Sequence, residues 1–476
     1  METLYSFDWA SVKMEAALVI FAVLALLSAV ALPRRFQTSV SALAFVGMYL
    51  ALILACVFAD RLMYCAYGCL IVICALLTSQ MSFSFFDKLG RSGQSRNEYI
   101  AVVMMSAAGL ILFGNTDNMM VAFVALECAT ICLYIMAAFS KDCASSLEAG
   151  VKYLIVGGFS GALMLMGIAF MYGAGRIEGV DFMYMGNFSA GLLNGFFKTG
   201  LVLVFAGVFF KIAAFPFQFW APDVYQGAPT PSSAFFAVAS KIAGVVFLAK
   251  ICAYLNFNSA DLLSVKEDIV LALSVIAGAT IIVGNLGGIT QMRTKRLLAF
   301  SGISNAGYLL VLIAALLAEP SSAYAFNTVL IFYLGAYMMA NYALFIAVGQ
   351  FPEANQTAQT LSDYRGSFKK HPVVSLALSV NLASLAGIPP TSGFFAKLMV
   401  LVLAWYAQLY WLLGIMIAGS VVSIYYYFSW IRSMAEPEDK TPCQFAPTAA
   451  AKQTIVLLAI CVLAISAAVL VFAGAQ

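Results

Sequence analysis

Four ionisable side chains stand inside long apolar runs of this chain: Glu127, Lys211, Lys241 and Lys397. Glu127 is the only charge in VAFVALECATICLYIMAAF. A carboxylate at that depth in a bilayer costs several kcal/mol unless it is paired, hydrated or protonated. Lys241 follows Pro231 by ten residues and precedes Leu255 by fourteen. At roughly 1.5 Å per residue it lies about 15 Å from one end of its helix, near mid-membrane. Lys397 follows Pro390 by seven residues with apolar text on both sides, and Lys211 closes the apolar run before Pro216. Loss of water drives the proton off a lysine, and a neighbouring carboxylate holds it on. A buried lysine can therefore gain or lose a proton when a partner moves. One acid and three bases set across an apolar bundle would meet the physical needs of a proton route.

Each of these groups also has a plainer reading. Glu127 could lock two helices through an ion pair. Lys397 could neutralise carbonyls freed by the helix break before it, and Lys211 could reach a membrane face on length alone. Lys241 is poorly placed to snorkel, which lysines do near helix ends; Lys250, five residues from its end, does snorkel. Glu148 and Lys152 form an i,i+4 pair, readable as an interfacial salt bridge or as a point where protons enter near Glu127. Lys295 and Arg296 read as topology anchors, His371 as interfacial, and Asp223 as a cap in the loop after the first break.

The elements that must hold these groups are membrane helices. Of 476 residues, 63% are hydrophobic and 10% charged, against roughly 25% charged in a soluble domain. Runs long enough to span, about 20 residues, fall near 15–32, 38–59, 62–81, 98–114, 118–139, 150–174, 192–214, 231–255, 268–289, 297–317, 323–349, 372–405, 407–431 and 453–473. The fold expected is an all-α polytopic membrane protein with about fourteen spans. Two spans are broken: the seventh at Pro216, and the twelfth at Pro389 and Pro390. Proline removes a backbone donor and frees a carbonyl, which lipid cannot satisfy, so such backbone must be buried in protein or line a wet cavity. The breaks lie five spans apart, and an odd offset reverses direction in the membrane. Spans 4–8 and 9–13 are therefore read as inverted copies, the arrangement that points to a transport site. The expected units are 1–97, three spans; 98–255, the first five-helix unit; 256–433, the second; and 434–476, a last span.

Basic residues set the orientation. Loops after odd-numbered spans hold Arg34, Arg35, Lys88, Arg91, Arg96, Lys141, Arg293, Lys295, Arg296, Arg365, Lys369, Lys370, Arg432 and Lys440; the others hold little beyond Arg61, Arg176 and Lys266. The odd loops should be cytoplasmic, including the polar loop 350–371, and both termini periplasmic if the host is a bacterium. Met1 to Glu15 carries no cleavable-signal pattern. A net charge of +3 points to no nucleic-acid partner, and no nucleophile, phosphate loop or redox-cofactor site is visible. The ten cysteines, with Cys65/Cys69 and Cys128/Cys132 spaced i,i+4, read as packing residues, and with one histidine, His371, a metal or haem site is not expected.

The stretch FKIAAFPFQFWAPDVYQGAPTP resembles the antiporter-like membrane subunits of proton-pumping NADH:quinone oxidoreductase, respiratory complex I, above all the subunit N group. SLEAGVKYLIVGGFSGALMLMGIAFMYG at 146–173, TKRLLAFSGISNAGYLLV at 294–311 and LAGIPPTSGFFAKLMV at 385–400 extend the resemblance over most of spans 5–12. It implies a fourteen-helix fold with two inverted five-helix units. It implies that Glu127 and Lys211 are the acid–base pair of the first unit, Lys241 the bridging lysine and Lys397 the outlet lysine of the second. It also implies a translocase subunit of a bacterial inner membrane, with flavin, iron–sulfur, NADH and quinone sites in partner subunits of the complex and no cofactor or metal in this chain. The group commonly carries histidine where this chain has Gln218 and Asn305; an amide hydrogen-bonds but does not titrate. Two other readings stay open: a subunit of a multi-subunit sodium/proton antiporter or related hydrogenase-type complex, and a passive spacer of the membrane arm.

Overall fold

The computed structural model describes residues 12–57, 62–90, 93–175, 195–257, 259–319, 323–351, 359–437 and 445–474. Met1 to Ser11, Arg61, Arg91, Arg176, Lys440 and the middle of the 350–371 loop lie outside them. Among the described residues the chain forms seventeen α-helices. They are α1 (Lys13–Ala31), α2 (Gln37–Val57), α3 (Leu62–Lys88), α4 (Gly93–Asn115), α5 (Met119–Ala137), α6 (Ala144–Gly175), α7 (Gly195–Ile212), α8 (Trp220–Gly227), α9 (Thr230–Phe257), α10 (Ser259–Ile289), α11 (Thr294–Ala318) and α12 (Ala323–Val348). There follow α13 (Ser367–Lys370), α14 (Pro372–Ala386), α15 (Ser392–Tyr406), α16 (Tyr410–Ala435) and α17 (Ala449–Gly474). Thirteen are long and apolar enough to cross a membrane. The shorter α14 and α15 are the two halves of the twelfth span, so the expected fourteen spans are present.

Both breaks are built the same way. Ala213 (φ 57°) and Gly387 (φ 81°) adopt left-handed backbone, each three residues before a proline, Pro216 and Pro390. The Ala213 and Ala214 amides donate to the Phe210 and Phe209 carbonyls, and the Gly387 and Ile388 amides donate to those of Ser384 and Ala383. This is the paired ending of a Schellman motif, and it stops α7 and α14 in register with each other. The halves then diverge. The first break leads into the eight-residue α8, and Lys241 sits on the next span, α9. The second leads directly into α15, which carries Lys397. PSSAFFA, which opens α9, and TSGFFAK, which opens α15, are therefore alike in letters but not equivalent in place.

The core lies along α9 and α11, which are buried almost all round. Ile20, Ile53, Ile155, Leu286 and Val421 on the peripheral helices are more than half exposed, as expected where lipid covers the bundle. The loops that follow odd-numbered spans meet on one face. Lys88 donates to the Gly349 and Phe351 carbonyls, Thr294 pairs with Gln359, and Arg365 pairs with Glu436. Lys198 with Asp268, and Lys250 with Asp117, lie at the opposite face.

Glycines set a close contact between α10 and α11. A Cβ at Gly284 of α10 would lie 2.5 Å from the Ser304 amide nitrogen, and one at Gly307 of α11 would lie 2.9 Å from that of Ile281. Small residues let membrane helices approach through dispersion contacts. Gly307→Val should therefore overpack this seam by about 1–3 kcal/mol and lower the thermal midpoint of the detergent-solubilised protein. An unchanged midpoint would refute the close approach.

Candidate functional site

The first-half site is built by α5, α6 and α7. The Glu127 carboxylate is half-buried, lies against Gly161 where any Cβ would collide with it, and accepts from Thr130 Oγ1 at 3.4 Å. Lys211 is buried on α7; its Nζ donates to Tyr153 Oη at 3.4 Å and stands 5.7 Å from that ring's centre. Among the described residues no nitrogen–oxygen contact within 4.0 Å joins Glu127 to Lys211, though each lies in the other's electrostatic range. Tyr134 packs edge-on to Tyr153 at 5.0 Å, and its hydroxyl rests against Gly157, one turn from Gly161. The expected acid–base pair is thus an acid and a base near two tyrosines, without direct contact.

Lys241 occupies the centre. It is 2% exposed, its Nζ sits in the hollow left by Gly302 of α11, and that nitrogen has no hydrogen-bond partner. The Tyr337 ring lies 5.9 Å away, and its hydroxyl donates to the Ala237 carbonyl, one turn before Lys241 on α9. Tyr337 also lines a small cavity with Asn305, Tyr333, Ser384, Gly393 and Lys397. About 10 Å³ of it is open to a water-sized molecule, room on the order of one water.

Lys397 does what its plainer reading required. Its Nζ donates to the Leu385 carbonyl at 2.8 Å and the Ala386 carbonyl at 3.1 Å, the raw end of α14. The Tyr308 ring lies 4.8 Å away. An ammonium has three donors; two are held by the helix end and the third is left for the cavity. A neutral amine would keep the two carbonyl bonds, so losing one proton does not undo the cap.

Several residues stand elsewhere than the sequence placed them. Glu148 and Lys152 pair at 2.6 Å on the exposed surface of α6. Asp223 is no helix cap: it pairs with Arg296 at 2.6 Å and Lys152 at 3.5 Å, tying α8 to α11 and α6. Lys295 is no surface anchor. It is 2% exposed and donates to the Ala228 carbonyl at 2.9 Å, where α8 gives way to α9. Lys250 bonds the Asn115 and Thr116 carbonyls and Asp117. Gln218 Oε1 is buried and unpartnered. Asn305 accepts from Tyr333 and donates to the Ser301 carbonyl, so both ends of its amide are engaged by protein. The tyrosines escaped the sequence reading, which looked for charge; the signal was Tyr153, Tyr308 and Tyr337 inside apolar helices.

An inverted pair of broken helices with lysines buried beside them defines an antiporter-like membrane subunit. Residues 116–423 match the family model for membrane-spanning NADH:quinone oxidoreductase and Mrp antiporter subunits. The chain is 35% identical to NADH-quinone oxidoreductase subunit N 1 of Opitutus terrae, over 95% of this chain and 94% of that one. It is 34% identical to NAD(P)H-quinone oxidoreductase subunit 2 of Trichodesmium erythraeum, over 79% and 69%. It superposes on a chain of respiratory complex I from Thermus thermophilus with TM-score 0.78 and 28% identity, covering 95% and 97%. The chain belongs to this antiporter-like family, in its subunit N group.

The bond from Lys295 to Ala228 is buried and charge-assisted, whereas Arg296 to Asp223 is part exposed. Lys295→Met leaves the carbonyl only the 3.4 Å contact from Ser233. It should cost about 2 kcal/mol, and Arg296→Met no more than about 1 kcal/mol. Thermal midpoints of the two variants check the order, and a reversed order would contradict it.

Proposed function

We propose that this chain is a proton-translocating subunit of the membrane arm of an NADH:quinone oxidoreductase, carrying protons over Glu127, Lys211, Lys241 and Lys397. The observation that carries this reading is the line of three buried lysines, each beside a buried tyrosine, with a cavity between Tyr337 and Lys397. A spacer could use Lys397 as a cap on α14 but would gain nothing from Lys241, whose buried amine has no partner among the described residues and costs stability.

The Mechanism follows from electrostatics. A charge arriving from a neighbouring subunit displaces the balance of Glu127 and Lys211. The field of Lys211 then decides whether Lys241 holds its proton, and Lys241 does the same for Lys397 through Tyr337 and the cavity. Asn305, fully engaged by Tyr333 and Ser301, steadies Tyr333 at the cavity wall and carries no proton itself. Glu148 and Lys152 supply a surface where protons enter. Residues 98–255 and 256–433 act as two half-channels in series.

In this reading the redox groups, flavin, iron–sulfur clusters and quinone, belong to partner subunits, and the oxidation of NADH by quinone supplies the drive. Among the described residues no cluster of three or more His, Cys, Asp and Glu is placed to hold a metal. The chain would sit in a bacterial inner membrane with odd loops cytoplasmic and both termini periplasmic.

The test is the purified complex carrying Lys241→Ala or Lys397→Ala, reconstituted in vesicles. Protons moved per electron should fall while the complex still assembles with its flavin and iron–sulfur subunits. Pumping at the unaltered ratio in both variants would overturn the reading, and purification without those subunits would favour a separate antiporter.

A further inference from the structure

The first-half pair and Lys241 are joined by no described hydrogen bond, yet a proton must pass between them if the proposed function holds. One group stands in the gap. Tyr225 of α8 is fully buried, and its hydroxyl has no hydrogen-bond partner among the described residues. A buried phenol usually finds a partner, and leaving one unmade costs about 1–3 kcal/mol. That phenol lies within electrostatic range of two others: Tyr153, which holds Lys211, and Tyr337, which flanks Lys241. Its ring and its carbonyl are both in contact with neighbours. Trp220 packs edge-on to it at 6.1 Å and stacks on Tyr153 at 4.7 Å, the Trp220 indole donates to the Phe210 carbonyl, and Ser233 of α9 donates to the Tyr225 carbonyl. The hydroxyl is therefore aimed by its own helix and its neighbours, not left loose. Lys241 Nζ, the next group along, is likewise buried and unpartnered. Two orphaned polar groups near one tyrosine, Tyr337, are the setting in which proteins hold ordered water.

We infer that Tyr225 is a relay residue for proton transfer between Lys211 and Lys241, its hydroxyl joined through water to Tyr153 on one side and Tyr337 on the other. This rests on the proposed function and names the link within it. The step balances. The Lys211 ammonium gives one proton to the water chain and becomes a neutral amine. The Tyr225 oxygen accepts one proton from one side as it releases its own to the other, ending neutral with its O–H turned. Lys241 takes up the proton delivered and becomes an ammonium. One positive charge has moved, and the phenol never ionises.

Tyr225→Phe removes one oxygen and keeps the ring against Trp220. In the reconstituted complex it should assemble normally, lower protons pumped per NADH oxidised at least threefold, and enlarge the slowing of pumping in D2O relative to H2O. Tyr225→His, which restores a donor and an acceptor, should recover most of the ratio. Wild-type pumping and an unchanged isotope effect in Tyr225→Phe, beside a loss in Lys241→Ala, would overturn this inference alone. Unchanged pumping in both would overturn the proposed function instead. Should Tyr225→Phe fail to assemble, high-resolution density of the wild-type complex decides: water within hydrogen-bond reach of Tyr225 Oη supports the link, and a dry hydroxyl rejects it.

Discussion

A helix broken inside a bilayer leaves carbonyls that nothing outside the protein can receive, and much of this structure answers that constraint. Each break first recovers two bonds by turning one residue left-handed, Ala213 or Gly387, and closing the same pair of backbone contacts. What remains falls to side chains. Lys397 takes the Leu385 and Ala386 carbonyls, Trp220 takes the Phe210 carbonyl, and Thr280 of the second half receives the Phe215 amide. An ammonium suits a helix C-terminus because the backbone dipoles converge there with negative sign. The requirement that stabilises the break thus also sets a titratable nitrogen inside the bundle beside a cavity.

The two halves share architecture and differ in charge placement. The first keeps its lysine before the break, on α7, and the second keeps it after, on α15. The junction between them is polar at several points: Lys241 in the Gly302 hollow, Lys295 on the Ala228 carbonyl, Arg296 on Asp223. All three cross from α8 or α9 to α11. The short helix after the first break is therefore fastened to the second half, and a shift of α8 would be felt at α11 through bonds as well as through packing.

The number of spans and both breaks were legible because hydropathy and proline act locally. The burial of Lys295 was not. Its neighbours in sequence, Arg293 and Arg296, mark a loop, and only the return of α8 beneath α11 turns Lys295 inward. Asp223 misled for the same reason: a first-turn acid reads as a cap until Arg296 and Lys152 arrive from distant helices. The tyrosines were visible as letters but not as a set. Tyr153, Tyr225, Tyr308 and Tyr337 come from four helices, and no periodicity links them.

Stability and function pull against each other along this row. Lys211, with its tyrosine hydroxyl, and Lys397, with two carbonyls, are held by direct bonds; Tyr134, Tyr225 and Lys241 are not. The unpartnered groups fall among the held ones: Tyr134 beside Tyr153 in the first half, Tyr225 near Tyr153 and Tyr337, and Lys241 beside Tyr337. A fully bonded row would be more stable and would fix every proton, because moving one would break a bond that nothing replaces. Gaps that only water can fill lower that barrier at the cost of some folding energy, and they place the flexibility in the solvent while the helices stay rigid. Under the proposed function, filling such a gap with a protein donor would therefore stabilise the bundle and slow proton transfer along the row.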